Sequence, residues 1–99
     1  MMRLKSYTVA EMKTPKQLER YFKGAANHRR IAILSVVEKE EGITLEEIAD
    51  RLQANLKTIS QHTRSLVHAG LLNKQYRGRQ VTHAPSPYGK MFLKFMKTF

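Results

Sequence analysis

The sequence has no cysteine, and no acidic residue follows Asp50. Without thiols the chain can form neither disulfides nor thiolate metal sites. Without carboxylates the second half of the chain has little from which to build acid–base catalysis. A Ser-His-Asp set, a catalytic carboxylate pair and a glycine-rich phosphate loop are missing as well, and we therefore do not expect an enzyme.

Long apolar runs are also missing. No stretch approaches the roughly 20 apolar residues of a membrane-spanning helix, and the start of the chain lacks the apolar core of a signal peptide. We therefore expect a soluble, cytoplasmic protein. Neither His62 and His68 nor His28 and His83 have the four-residue spacing that places two imidazoles together on a helix. We expect neither a metal site nor a cofactor.

Positive charge dominates the chain and is unevenly distributed. The 99 residues carry a formal net charge of +10. All eight acidic residues lie at or before Asp50, whereas nine Lys or Arg residues and no acid are found from Arg51 onward. A surface that is basic only for solubility does not require acidic and basic residues to be separated along the chain, whereas a polyanion-binding surface does. The distribution predicts a nucleic-acid partner in preference to a membrane or an acidic protein.

The segment from Asn55 to Gly70 has the pattern of a helix with two different faces. Asn55 is suited to cap its start and Gly70 to end it. The apolar stripe, which we expect in the core, carries Leu56, Ile59, Thr63, Leu66 and Val67. The adjoining face is basic and polar without a carboxylate, which is the chemistry that contacts base edges and phosphates. Its residues are Lys57, Gln61, Arg64 and His68. We interpret this segment as the recognition helix of a helix-turn-helix.

Three helices are predicted before this segment. The first follows the cap Thr14 and ends near Gly24, the second runs from His28 to Glu41 after the cap Asn27, and the third runs to Leu52 behind a Thr44–Glu47 capping box. On the second helix, Ile31, Leu34 and either Val37 or Glu38 are expected to trace the buried stripe.

Arg29 and Arg30 stand at the start of the second helix, where cations oppose the helix dipole. Two cations placed there indicate an anion nearby. Glu19 and a phosphate group are both possible partners.

Two β-prone runs, Leu71–Tyr76 and Gln80–Ala84, flank a turn that contains Gly78. They predict a β-wing with Arg77 and Arg79 on either side of its tip. A last helix, capped by Ser86 and Pro87, is expected to run from Tyr88 toward Phe99.

The first and last helices carry many large apolar side chains for a domain of this size. Core packing and a partner surface both account for them, and their number favours a homodimer. The candidate dimerisation residues are Leu18, Tyr21, Phe22, Phe92, Phe95, Met96 and Phe99.

From Leu18 to Phe95 the chain resembles the ArsR-type winged helix-turn-helix regulators. The resemblance is carried by the strings Ala26–Leu34, Thr44–Ala49, Thr58–Leu66, Ala69–Leu72 and Arg77–Arg79. It implies a mainly α (α+β) fold of about five helices with a two-stranded β-wing, and a dimer formed by the first and last helices. It also implies that the wing reaches the minor groove or the backbone, and that the major groove is faced by Lys57, Thr58, Ser60, Gln61 and Arg64.

The chain departs from the ArsR type in its regulatory half. The cysteines of the thiophilic-metal sensors are absent, and the last helix has neither the Asp nor the His of other sensors. Metal sensing of these kinds is therefore not expected. Thr63 stands where the family usually has Leu, and we expect its hydroxyl to bond to the carbonyl four residues back.

These observations predict an N-terminal arm over residues 1–13 and a winged helix-turn-helix domain over residues 14–99. The favoured function is a sequence-specific regulator that binds double-stranded DNA as a homodimer and represses by occlusion. The alternative is a winged-helix module that binds nucleic acid nonspecifically or serves as a protein-interaction adaptor. The candidate DNA-binding residues are Lys57, Thr58, Ser60, Gln61, Arg64, His68, Arg77, Arg79, Arg29 and Arg30.

Overall fold

The structure of the chain is a computed structural model that describes residues 13–99. The expected N-terminal arm, apart from Lys13, lies outside the described residues. The elements are α1 (Pro15–Ala25), α2 (His28–Lys39), β1 (Ile43–Thr44), α3 (Leu45–Leu52), α4 (Leu56–His68), β2 (Leu72–Arg77), β3 (Gln80–Pro85) and α5 (Pro87–Met96). The mainly α winged helix-turn-helix fold predicted from the sequence is confirmed.

The predicted N-caps position the helix starts. At α1, the Thr14 hydroxyl accepts from the backbone N–H of Gln17 at 3.1 Å, and the Gln17 side chain accepts from the backbone N–H of Thr14 at 2.8 Å. Thr44 and Glu47 form the same reciprocal arrangement at α3. Such pairs satisfy backbone donors that no helical carbonyl can reach, which is why these boundaries can be predicted from sequence.

The sheet has three antiparallel strands in the order β1-β3-β2, one more than the predicted two-stranded wing. The short β1 pairs Ile43 with His83 of β3. Nδ1 of His83 donates to the carbonyl oxygen of Ile43 at 3.1 Å, and burial lowers the pKa of this imidazole although that bond raises it. The base of the wing is therefore joined to the segment that enters α3.

The core lies between α2, α3, α4 and the base of the sheet. Its fully buried large side chains are Ile33, Leu34, Val37, Ile48, Ile59, Leu66, Leu71 and Leu72. The expectation for Ile31 was wrong: it is 39% exposed, and Ile33 is buried in its place. Apolar residues occupy six of the seven positions from Ile31 to Val37, so the pattern alone cannot select the buried face of α2.

Aromatic side chains connect α1 and α5. The rings of Phe22 and Phe92 meet edge to face with centroids 5.2 Å apart, and those of Tyr21 and Tyr88 lie 4.8 Å apart. Helix α5 ends at Met96, three residues before the predicted Phe99, and the ring of Phe99 is 91% exposed. We use the name α1–α5 apolar face for eight exposed or half-buried side chains of α1, α5 and the residues that follow α5; they are Leu18, Tyr21, Phe22, Met91, Phe92, Phe95, Met96 and Phe99.

Candidate nucleic-acid interface

Helix α4 is fixed at both ends by local hydrogen bonds. The side-chain oxygen of Asn55 accepts from the backbone N–H groups of Lys57 at 2.8 Å and Thr58 at 3.2 Å. At the other end Gly70 takes a φ of +82°, a value that favours glycine, and the N–H of Leu71 bonds to the carbonyl of Leu66. The predicted cap and stop residues therefore act as expected.

The turn between α3 and α4 is short. Gln53 takes the left-handed conformation with φ 52°, and it is the only non-glycine residue with positive φ among residues 13–99. The N–H of Ala54 bonds to the carbonyl of Ala49 at 3.0 Å, which closes the turn. Helices α3 and α4 pack against each other and against α2, and this pair is the helix-turn-helix.

The outer face of α4 has the composition expected for a recognition surface. Lys57, Gln61, Arg64 and His68 are exposed, whereas Thr58 and Ser60 are half-buried at its edge. A cavity of about 570 Å³ runs along this face, and within the described chain no carboxylate lines it. Its lining residues are Leu45, Asn55, Leu56, Lys57, Ser60, Gln61 and Arg64. The face thus combines hydrogen-bonding groups with positive charge.

Leu56 differs from the prediction that placed it in the core. Its side chain is 46% exposed and lines the cavity beside Lys57 and Gln61. Leu56 is the first residue of α4. Helical periodicity therefore could not predict whether the turn that precedes α4 covers the Leu56 side chain. The structure thus adds an apolar group to the outer face of α4.

Thr63 is buried as predicted, but its hydroxyl does not make the predicted bond to the carbonyl four residues back. Among the described residues, Thr63 Oγ1 is a buried polar atom without a hydrogen-bond partner. It is Ser65 that bonds back by one turn, donating to the carbonyl of Gln61 at 3.1 Å. The Thr63 hydroxyl therefore carries a desolvation cost that no bond offsets.

Arg30 is held by other parts of the protein. Its Nη1 donates to the carbonyls of Lys23 at 3.2 Å and Gly24 at 3.3 Å, and its Nε donates to Nδ1 of His62 at 3.2 Å. The cation therefore lies at the C-terminus of α1, where the helix dipole favours it. Of the two expected anions, Glu19 pairs with Lys23 at 3.1 Å instead. Arg29 is exposed one residue earlier.

His62 lies half-buried on the side of α4 that faces α2. Burial lowers the pKa of its imidazole, and the positive charges of Arg30, Arg29 and His28 lower it further. The same concentration of positive charge favours anions outside the protein.

The wing places both predicted arginines at its tip. Arg77 pairs with Gln80 at the end of the hairpin, and Gly78, with φ +63°, and Arg79 form the turn. Every residue from Asn73 to Gln80 is exposed. Tyr76 was not singled out from the sequence, yet this residue, which precedes Arg77 in β2, is 72% exposed. Its phenol can donate to phosphate oxygens, so Tyr76 joins the candidate surface.

Within residues 13–99, no helix is long and apolar enough to cross a membrane. In the same range, no three His, Asp or Glu side chains are grouped in a way that could hold a metal ion.

Comparison with known families identifies the helix-turn-helix. The family described as "Helix-turn-helix domain" matches residues 26–75, which run from the residue after α1 into β2. The chain belongs to this family. No curated protein sequence matches the chain.

Solved structures extend the likeness of this helix-turn-helix protein to the whole winged fold. Reduced HlyU from Vibrio cholerae is 26% identical to this chain. The match covers 82% of this chain and 85% of the HlyU chain, with a TM-score of 0.73. A homodimeric winged helix-turn-helix DNA-binding domain from Mycobacterium bovis, a possible ArsR-family transcriptional regulator, is 23% identical, with coverages of 94% and 83% and a TM-score of 0.77. The transcriptional repressor PagR of Bacillus anthracis is 18% identical, with coverages of 82% and 93% and a TM-score of 0.75. The fold is that of the winged helix-turn-helix proteins, and the resemblance to the ArsR type is confirmed in its fold.

Proposed function

We propose that this chain is a transcription regulator that binds double-stranded DNA in a sequence-specific manner as a homodimer, and that it is a binding protein rather than an enzyme. The observation that carries the proposal is the outer face of α4, which is exposed, basic and free of carboxylates. A helix of this kind fits the major groove, where each base pair presents a distinct set of donors and acceptors.

Some side chains on α4 are suited to contact base edges, and others are suited to contact phosphates. Gln61 can bond to both hydrogen-bonding atoms of adenine, and Arg64 to both of guanine. Lys57, Thr58 and Ser60 lie nearer the start of the helix and are suited to phosphate or base-edge contacts. The exposed Leu56 is suited to an apolar contact with a thymine methyl group.

The remaining basic residues position the protein on the backbone. Arg77 and Arg79 extend from the wing tip toward a phosphate or a narrow minor groove. Arg29 and His68, both exposed, supply phosphate contacts at the edges of the site. We assign Arg30 the role of a positioning residue, because three of its N–H groups already bond within the protein.

The α1–α5 apolar face is the proposed dimer interface. Three of its phenylalanines are half or more exposed: Phe22 is 54%, Phe95 52% and Phe99 91% exposed. A second copy of the same face would remove these rings from water, since a twofold interface pairs one patch with itself. The homodimeric structure of the M. bovis domain supports this arrangement.

We further propose that binding represses transcription by occluding the promoter. The transcriptional repressor PagR, which has the same fold at 18% identity, supports this mode of action.

Selection of bound fragments from a pool of random duplex DNA tests the proposed function. The expected result is a recovered motif with two related half-sites about one helical turn apart, because a symmetric dimer presents two copies of α4. Recovery of DNA without a shared motif would indicate nonspecific binding, and no recovery would indicate an adaptor. Either result contradicts the proposal.

A further inference from the structure

A second basic site lies beside the outer face of α4 and shares Arg64 with it. A cavity of about 310 Å³ opens between α1, the start of α2 and the last turns of α4. It is lined by Arg20, Arg30, Arg64, Ser65, His68 and Ala69. Arg20 stood outside the DNA-binding set expected from the sequence. We call this cavity the arginine cleft.

The arginine cleft gathers cations with no anion to balance them. Three guanidinium groups line it, and no carboxylate does so within residues 13–99. Glu19, next to Arg20 in sequence, pairs with Lys23 at 3.1 Å and is not among the lining residues. Like charges gathered in one cavity repel each other, and the potential they create favours an anion there.

The geometry of the cleft is fixed on two of its sides. The Arg30 guanidinium is held by the carbonyls of Lys23 and Gly24. The guanidinium of Arg20 lies over the ring of Tyr21, with its Cζ 5.7 Å from the ring centroid. Helix α1 also approaches the end of α4 closely, because a Cβ added to Gly24 would clash with Cβ of Ala69. The Arg30 guanidinium and the α1–α4 contact are therefore in place before any ligand arrives.

We propose that the arginine cleft binds a phosphate group, with Arg20 on one wall and His68 on the other as its donors, and with Arg64, the candidate guanine reader, adding positive charge beside them. Planar guanidinium groups match the oxygens of phosphate in a bidentate manner. Ser65 contributes no donor, because its hydroxyl already donates to the carbonyl of Gln61. A cavity near the lower end of the roughly 300–1,000 Å³ range of ligand sites accommodates one such group and a small substituent.

The phosphate has two possible sources with the same chemistry. Arg64 lines both the arginine cleft and the larger cavity along the outer face of α4, so a backbone phosphate of bound DNA can reach the cleft. A free phosphate compound can enter it from solvent. The first source rests on the proposed function, and the second does not.

Two titrations test the site with the variant Arg20→Gln. Lys90→Gln, an exposed position on α5, is the control with the same change of charge. In the first titration, inorganic pyrophosphate is added to the isotope-labelled protein. The free-phosphate source predicts shifts of the amide resonances from Arg64 to Ala69, with an affinity about tenfold weaker in Arg20→Gln and unchanged in Lys90→Gln.

In the second titration, duplex DNA is bound at several salt concentrations. The DNA source predicts that Arg20→Gln lowers the salt slope by roughly one unit, as expected for one lost phosphate contact, while Lys90→Gln does not. An effect of Arg20→Gln in either titration supports the site and identifies its source.

Two results overturn the inference. One is that Arg20→Gln matches the wild type in both titrations, and the other is that Lys90→Gln causes the same losses. If the wild type fails to bind DNA but pyrophosphate binds with the predicted dependence on Arg20, the proposed function fails and the site stands. If DNA binding is intact and Arg20→Gln has no effect in either titration, the phosphate site fails and the proposed function stands.

Discussion

Nε of Arg30 donates to Nδ1 of His62 at 3.2 Å, which joins the start of α2 to the recognition helix. The same guanidinium bonds to the last carbonyls of α1, so one side chain holds three helices together. The bond requires Nδ1 of His62 to be an acceptor, and therefore the neutral imidazole with its proton on Nε2. Protonation of His62 would remove this acceptor.

We expect stability to fall on the acid side of neutrality. The pKa values of His62 and His83 are lowered in the folded protein, so the unfolded chain binds more protons as the pH falls below about 6.5, the ordinary histidine value. The stabilisation is present above that pH and is lost as the pH falls through the lower folded values. Urea unfolding at a series of pH values measures the loss. His83→Gln should flatten the dependence, and the same slope in His83→Gln and the wild type would refute this assignment.

Thr63→Val should stabilise the protein by about 1 kcal/mol. The substitution keeps the shape of the side chain and removes a buried hydroxyl that has no partner within the described residues. Thr63→Ala serves as the control, because it removes the same hydroxyl but leaves a cavity and should destabilise. Chemical denaturation of both variants decides the matter. Destabilisation by Thr63→Val would show that the hydroxyl has a partner.

Local signals made much of the fold predictable. The capping box of Thr44 and Glu47 lies within four consecutive residues and could be recognised from the sequence, and α3 begins and ends as expected. Gly78 determines the hairpin turn in the same local way. Strand β1 could not be found from the sequence, because its two residues show no alternation and pair with β3 some 40 residues later along the chain.

The candidate site was predictable in composition and less so in contacts. The exposed face of α4 follows from helical periodicity, so Lys57, Gln61 and Arg64 lie where the pattern indicates. The engagement of Arg30 depends on where α1 ends in space, which no local pattern encodes. Arg20 entered the candidate surface only because the packing of α1 against α4 brings it near Arg64.

Disrupting the α1–α5 apolar face should convert the proposed dimer into a monomer. Phe95→Glu with Phe99→Glu places two charges among exposed rings whose centroids lie 5.2 Å apart. Lys90→Gln with Lys94→Gln makes the same change of net charge at exposed polar positions of α5 and should leave the dimer intact. Sedimentation at about tens of micromolar, well above the Kd of a stable pair, measures both. A wild-type monomer, or a dimer that survives both glutamates, would refute the interface.

Arg79→Ala should weaken binding to every duplex by a similar factor. Arg79 lies in the wing turn, where an exposed guanidinium is suited to the backbone or a narrow minor groove. The salt slope should fall by roughly one unit. Titration against two unrelated duplexes at several salt concentrations tests this, with Lys90→Gln as the charge control. An unchanged salt slope, or a loss of affinity confined to one duplex, would mean that Arg79 does not contact the DNA backbone.

The most direct test of the central claim is to titrate wild type and Gln61→Ala against a selected duplex and a scrambled duplex of the same composition. Gln61 is exposed on the outer face of α4 and lines its cavity. If α4 reads bases, Gln61→Ala loses about 1–3 kcal/mol on the selected duplex and almost nothing on the scrambled one. Equal losses on both duplexes, or no loss on either, would contradict sequence-specific recognition by this helix.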